Sequence, residues 1–443
     1  MAKLAPFIYG RPVSPDRFID RLEVTQTLFS RISVGDSTAV VGEPHIGKSS
    51  LLHYVQSPHV RSEWLEDKAG NFLFSAMDCH LLAGDFSPAD FWRRALAPLT
   101  ESPLSDDVIH QLDIVGQNDF GAFSLETLFK LLAQSDHCLV LLIDEFDTML
   151  HHPNFNKAEF FGALRALATG TDGLALVTAT RQSVHDMIIL TQALNPYGSP
   201  FFNQFTELNL GYFDDIAIRE LLAQALSNSA IQFDDRALAF LRRIAGRHPY
   251  LLQAGGAALY EAVSRGLAGE ELYLSATKAF CHSTAAHFAD FWSHLTPAAQ
   301  TALAILALGE VQGQLDRRAF DTGDMGKLDI FRSELEKLVE IGVVEEVTDK
   351  GLHFDWGNFV LWRDRQWRIA AGGFVWWFAD SVITRTRAVI PWDEWVEQRE
   401  YEGLLTRGEK DRLRELAAKI PKDTFASVAK LARTFLEGLL HTA

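Results

Sequence analysis

Gly42-Glu43-Pro44-His45-Ile46-Gly47-Lys48-Ser49 sets two glycines around a short loop and follows them with a lysine and a hydroxyl. Glycines let a backbone curl so that successive amides face one centre, and such a nest suits phosphate oxygens. A helix expected from Ser49 adds its positive N-terminal end. Lys48 would reach the β- and γ-phosphates of a nucleotide, and the Ser49 hydroxyl would ligate Mg²⁺. Gly42, Glu43, Pro44, His45, Ile46, Gly47, Lys48, Ser49 and Ser50 are the expected phosphate contacts. His45 is expected to face solvent.

Leu139-Val140-Leu141-Leu142-Ile143-Asp144-Glu145 is the second signal. An apolar run of this kind buries itself as a central strand and delivers two carboxylates at its C-terminal end. Ligands bind at that end of open α/β sheets. Asp144 would hold the hydration shell of Mg²⁺, and Glu145 would act as general base on the attacking water.

These residues need a scaffold, and the pattern supplies one. Strand-like runs at Ser37–Val41, Asn71–Asp78, His137–Ile143, Gly173–Thr178 and Phe205–Leu210 alternate with helical patterns at Ser49–Val55, Asp90–Ala97, Leu125–Ala133 and Lys157–Ala168. Alternation predicts an α/β fold, a parallel five-stranded sheet with helices on both faces. Arg181 lies just beyond the fourth run, so its guanidinium can face the edge that carries Asp144. There it would stabilise charge on γ-phosphoryl oxygens; the alternative is a surface ion pair.

After Leu210 the strands stop. Asp214 and Asp234 can cap helices, Gly246 can end one and Pro249 can begin another. Residues 211–292 therefore read as a helical lid. Helices at 297–308 and Leu328–Ile341, a strand at Val343–Val347 and an extended segment at His353–Trp367 give the order of a winged helix over 293–379. Residues 380–443 read as a C-terminal helical region, with helices at Trp392–Tyr401, Glu409–Lys419 and Thr424–Leu440. The nucleotide-binding domain is expected over 1–210. The run Phe374-Val375-Trp376-Trp377-Phe378 is expected in a core.

The loop, the Asp-Glu pair and the extra strand between them resemble the additional-strand, catalytic-glutamate division of P-loop NTPases. Further residues resemble its STAND class, the signal-transduction ATPases related to NACHT and NB-ARC proteins and to archaeal AAA-type ATPases. Phe18-Ile19-Asp20-Arg21-Leu22-Glu23 resembles that class's opening motif, with Asp20 in place of its usual glycine; the resemblance implies that Arg21 contacts the base. Thr178-Ala179-Thr180-Arg181 resembles the sensor whose arginine reads the γ-phosphate. Gly246-Arg247-His248-Pro249 resembles the lid motif whose proline packs on adenine, with one residue more between its glycine and proline. The resemblance covers about residues 7–375. It implies ATP and Mg²⁺ as ligands, ATPase activity, and a switch that forms a homo-oligomer in one nucleotide state and acts on a protein partner in trans, in signalling or defence. Arg165, one helix beyond the Asp-Glu strand, is either a trans-acting arginine finger or an ordinary helix-surface residue. His353 resembles an NB-ARC sensor only by chance.

Charge weighs on the alternative of an ATPase of DNA transactions that uses the winged helix. With 41 basic and 58 acidic residues the chain carries a net −17, which repels a polyanion on average. The recognition position, 328–340, holds Arg332 and Lys337 against Asp329, Glu334, Glu336 and Glu340. The tail is more basic, at Arg385, Arg387, Arg407, Lys410, Arg412 and Arg414. A third reading is a scaffold that binds nucleotide without turning it over; Glu145 has no purpose in it. The cysteines Cys79, Cys138 and Cys281 are far apart and lack metal-site spacing. No apolar run approaches the ~18 residues of a membrane span, nor does the N-terminus hold a signal-like apolar stretch, so the cytoplasm is the expected compartment.

Overall fold

The computed structural model describes residues 6–19, 21–316, 328–347, 360–361, 366–380, 391–418 and 420. The chain divides between Leu210 and Gly211 into two units. The first, Pro12–Leu210, holds β1 (Thr38–Val41), β2 (Phe72–Asp78), β3 (Cys138–Asp144), β4 (Leu174–Thr180) and β5 (Thr206–Asn209). They form one sheet in the order β2-β3-β4-β1-β5, every pair parallel. A parallel pair needs a crossover, and helices supply it here. β3 is buried from Cys138 to Ile143, and β4 throughout. Strands buried on both sides read as unbroken apolar runs. Leu139, Leu141, Ile143, Leu174 and Leu176 pack on one face with Phe91, Leu128, Phe129 and Leu164, which come from the helices Pro88–Ala95, Ala122–Gln134 and Ala158–Gly170. The helix Lys48–Gln56 packs against β3 and β4 and buries Leu51, Leu52 and Val55, which are outside that cluster.

Register decides what meets at the sheet edge. Asp78 pairs with Asp144, Ile143 with Thr178, and Val41 with Thr180. The C-terminal ends of β2, β3, β4 and β1 are thus level, although their residues are far apart in sequence.

The second unit begins with helices Asp215–Leu226 and Asp235–Ala245. The Asp214 carboxylate accepts from Ala217 N at 2.7 Å, and Asp234 caps the next helix from Ala237 N at 2.8 Å. Gly246 ends that helix at φ +61°. Helix Pro249–Ser264 is buried almost all round and packs along Gly269–His294. Helix Pro297–Asp316 follows, then a 3₁₀ turn at Leu328–Phe331 and helix Arg332–Glu340. The last two replace the single helix expected over Leu328–Ile341. Strands β6 (Val344–Val347), β7 (Val360–Leu361) and β8 (Gln366–Ile369) form an antiparallel sheet in the order β6-β8-β7. Glu345 and Arg368 face each other across it and pair at 2.7 Å. The aromatic run lies in helix Gly372–Phe378 and is buried, with Phe374 and Phe378 near Trp292. Helices Trp392–Tyr401 and Arg407–Ala418 follow. Asp20, His353, Arg385, Arg387 and the helix expected over Thr424–Leu440 are outside the described residues.

The N-terminal stretch departs from the expected boundary of 1–210. Residues 6–11 belong with the second unit. Ile8 N donates to Gln253 Oε1 at 3.1 Å, and the Phe7 ring stacks on Phe233 and meets Tyr260 edge-on. Gly256 makes room for it: a Cβ there would lie 2.5 Å from Phe7 Cε1. The apolar Phe7 side chain finds its burial in that notch rather than on the sheet. The boundary expected after residue 292 also falls inside the helix Gly269–His294, and the described residues from Gly211 onward group as one unit.

A buried carboxylate ties three elements of this unit together. Glu310, on helix Pro297–Asp316, accepts from Ile369 N of β8 at 2.8 Å and lies 3.5 Å from Arg243 Nη2 of helix Asp235–Ala245. Burial pushes its carboxyl above the ordinary value near 4.5, against the pull of Arg243 and the Ile369 amide. A carboxyl raised by folding contributes stability that is full below the unfolded value and is lost as pH rises through the folded one. Glu310→Gln keeps the acceptor without the charge. Urea unfolding across a pH series should show that it flattens the fall in stability from about pH 4.5 upward; a curve parallel to wild type would contradict this.

Candidate nucleotide site

The loop between β1 and the helix Lys48–Gln56 is pinned at both ends. Gly42 N donates to Thr180 O at 3.2 Å, Leu210 N donates to Val41 O at 2.8 Å, and Leu51 N donates to Gly47 O at 2.9 Å. Between these, Ile46 N donates to Glu43 O at 3.3 Å, while His45 and Gly47 take φ of +61° and +108°. Ile46 is buried and His45 is exposed. Gly42 fits because nothing larger does: a Cβ would stand 2.9 Å from Leu210 O and from Ile46 Cγ2. Lys48 Nζ donates to Gly42 O at 2.8 Å and to Glu43 O at 2.9 Å, which curls the loop around the ammonium. Ser49 lies in the first turn of the helix. The Ser50 hydroxyl instead accepts from Val13 N at 3.2 Å.

Lys48 is 5% exposed. Burial lowers its pKa; Glu145, Asp147 and Asp144 oppose that, and Arg181 reinforces it. The carboxylates favour the charged ammonium that burial disfavours. Asp144 ends β3, and its Oδ1 accepts from Glu145 N at 3.0 Å. Glu145 turns there with φ +51°, so its side chain leaves the strand direction. Its Oε2 stands 3.9 Å from Arg181 Nε and 4.0 Å from His80 Nε2. The Cys79 thiol, in the turn after β2, is pushed far above its usual value by burial first, then by Asp78, Asp144, Asp147 and Glu145. Four acids thus lie within electrostatic reach of this edge.

The structure thus brings Lys48, Asp144, Glu145 and Arg181 to one edge of the first unit. Arg21 is buried in the same unit and caps the helix Leu22–Ile32 at φ +74°. Pro249 belongs to the second unit, where it opens its helix behind the buried His248. Arg165 is half-buried on the helix Ala158–Gly170, with its Nε enclosed by protein. Sequence reading missed Asp147 and His80. Asp147 carries a weak signal, a third acid close after Asp144. His80 carries one only once strand order is known, because β2 must lie beside β3 before its following turn can reach Glu145.

A model of the family described as novel STAND NTPase 2 matches residues 32–310. The chain belongs to this family. It is a STAND-type P-loop NTPase. Among solved structures it is similar to the Walker-type ATPase PABY2304 of Pyrococcus abyssi, at 14% identity and TM-score 0.49 over 83% of this chain and 97% of that one. It is also similar to the ORC2 protein of Aeropyrum pernix in its ADPNP-ADP complexes, at 13% identity and TM-score 0.48 over 93% of this chain and 97% of that one. No curated protein matches the chain.

Among the described residues no group of three or more His, Cys, Asp or Glu side chains is placed to hold a metal. Mg²⁺ is commonly held by one or two protein oxygens with substrate phosphates completing its shell. Ser49 and Asp144 would be those two. The loop also gives a test of its own packing. Gly42→Ala should lower stability by about 1–3 kcal/mol and displace the cradle, so that nucleotide affinity falls with it. Chemical denaturation and binding of a fluorescent ATP analogue check this; wild-type behaviour in both would show that the loop yields to the extra methyl.

Proposed function

We propose that the chain binds and slowly hydrolyses ATP with Mg²⁺, and that the bound nucleotide sets a switch between domain arrangements. One observation carries the reading: Glu145 stands beside Arg181 at 3.9 Å, at the sheet edge where Lys48 is buried among carboxylates. Lys48 would neutralise the β- and γ-phosphates, and the loop amides from Gly42 to Ser49 would hold them. Mg²⁺ held by Ser49 and Asp144 would offset phosphate charge. Glu145 would take the proton from the attacking water, and Arg181 would turn from it to the γ-phosphoryl oxygens. Arg21 is proposed to contact the base.

The switch reading rests on family resemblance together with the division at Leu210. It calls for self-assembly or a protein partner in one nucleotide state, in signalling or defence. The helix Arg332–Glu340 and the β6-β8-β7 sheet fit a winged helix, but as a packing element. Arg332 and Lys337 sit among Glu334, Glu336 and Glu340, and a groove-reading helix needs positive charge toward phosphates. Three of the tail's cations are also engaged: Lys410 pairs with Glu397 and Glu400, Arg412 with Glu415, and Arg414 with Glu397 and Asp393. Both weigh against the DNA alternative.

Hydrolysis and mass should be followed together, with and without double-stranded DNA. Glu145→Gln should cut kcat about 10²-fold or more while ATP still binds, and should prolong any ATP-driven assembly seen by light scattering. Lys48→Ala should lose binding. DNA-stimulated turnover would favour the DNA alternative, and an undiminished kcat in Glu145→Gln would remove Glu145 as base.

A further inference from the structure

Glu145 Oε2 has nitrogen neighbours from two different strands. Arg181 follows β4 and stands at 3.9 Å; His80 lies in the turn after β2 and stands at 4.0 Å. β3 separates β2 from β4, and β1 with its loop lies beyond β4. The two nitrogens therefore differ in what competes for them. A phosphate seated on the loop after β1 lies on Arg181's side, and a phosphate oxygen is a strong partner for a guanidinium. His80 is on the far side of β3.

The turn that carries His80 is anchored. His80 N donates to Asp78 Oδ1 at 2.9 Å, and Asp78 is in register with Asp144. The imidazole Nδ1 is 4.0 Å from the same Asp78 oxygen. The side chain is 57% exposed, so little packing opposes a turn of the ring toward Glu145.

We propose that His80 is a positioning residue for Glu145. It rests on the hydrolytic reading above. When Arg181 turns to the γ-phosphoryl group, His80 Nε2–H donates to Oε2 and keeps the carboxylate at the sheet edge, with Oε1 toward the water. The water oxygen forms its bond to the γ-phosphorus as the bond from that phosphorus to the bridging oxygen breaks. ADP leaves with that electron pair, and the water's proton passes to Glu145 Oε1. His80 keeps its own proton throughout.

The test compares His80→Ala and His80→Gln, in the full chain and again with Glu145→Gln, by steady-state ATP hydrolysis and binding of a fluorescent ATP analogue. His80→Ala should lower kcat about tenfold or more with KM and analogue affinity within about twofold. His80→Gln, which keeps a donor near the Nε2 position, should restore most of it. Added to Glu145→Gln, the alanine should change nothing further. An unchanged or raised kcat overturns the proposal, as does a rise in KM in place of the kcat loss, or an equal loss in the Glu145→Gln background. If the wild type turns over ATP and depends on Glu145 but ignores His80, this inference alone fails. A wild type with no turnover removes the hydrolytic reading and this inference with it.

Discussion

Removing an ammonium from water is costly unless negative charge or oriented carbonyls surround it. At Lys48 the two nearest acceptors are carbonyls of its own loop, Gly42 O and Glu43 O, so burying the cation and curling the loop are one event. The balancing carboxylates cannot come from nearby sequence. They arrive on β3 and the turn after it, which obliges β3 to lie close to β1 with its C-terminal end level with the loop. β4 fills the space between, and Arg181 is carried into the same field because it follows β4. The order and register of the sheet thus serve one desolvated charge as well as the apolar strands.

Those apolar strands were the most legible feature of the sequence. Leu139–Ile143 reads as a buried strand because no polar residue interrupts it, and a strand covered on both faces has to look so. The loop pattern was legible for a related reason: Gly42 is hemmed in by Leu210 and Ile46, and its place in the pattern reflects that space. Pairing between strands was not legible. Nothing local in Asp78-Cys79-His80 says that β2 will lie beside β3, so the approach of His80 to Glu145 had no signature. The turn at Leu328–Phe331 was read as helix because an apolar spacing of three fits either geometry. Phe7 was assigned by position in the chain, while its burial depends on a missing side chain at Gly256, hundreds of residues away.

The second unit has its own reason for cohesion. Glu310 is buried with partners on two other elements, a helix early in the unit and the central strand of its small sheet. The helix Asp235–Ala245 and the small sheet are therefore fastened to each other, and the aromatic helix Gly372–Phe378 packs with them.

The docking of Phe7 alters how the two units are joined. Because the stretch 6–11 stays with the second unit, the backbone passes between the units twice, at Arg11–Pro12 and at Leu210–Gly211. A single cut at Leu210–Gly211 would therefore leave the first unit still tethered, through the docked stretch that carries Phe7.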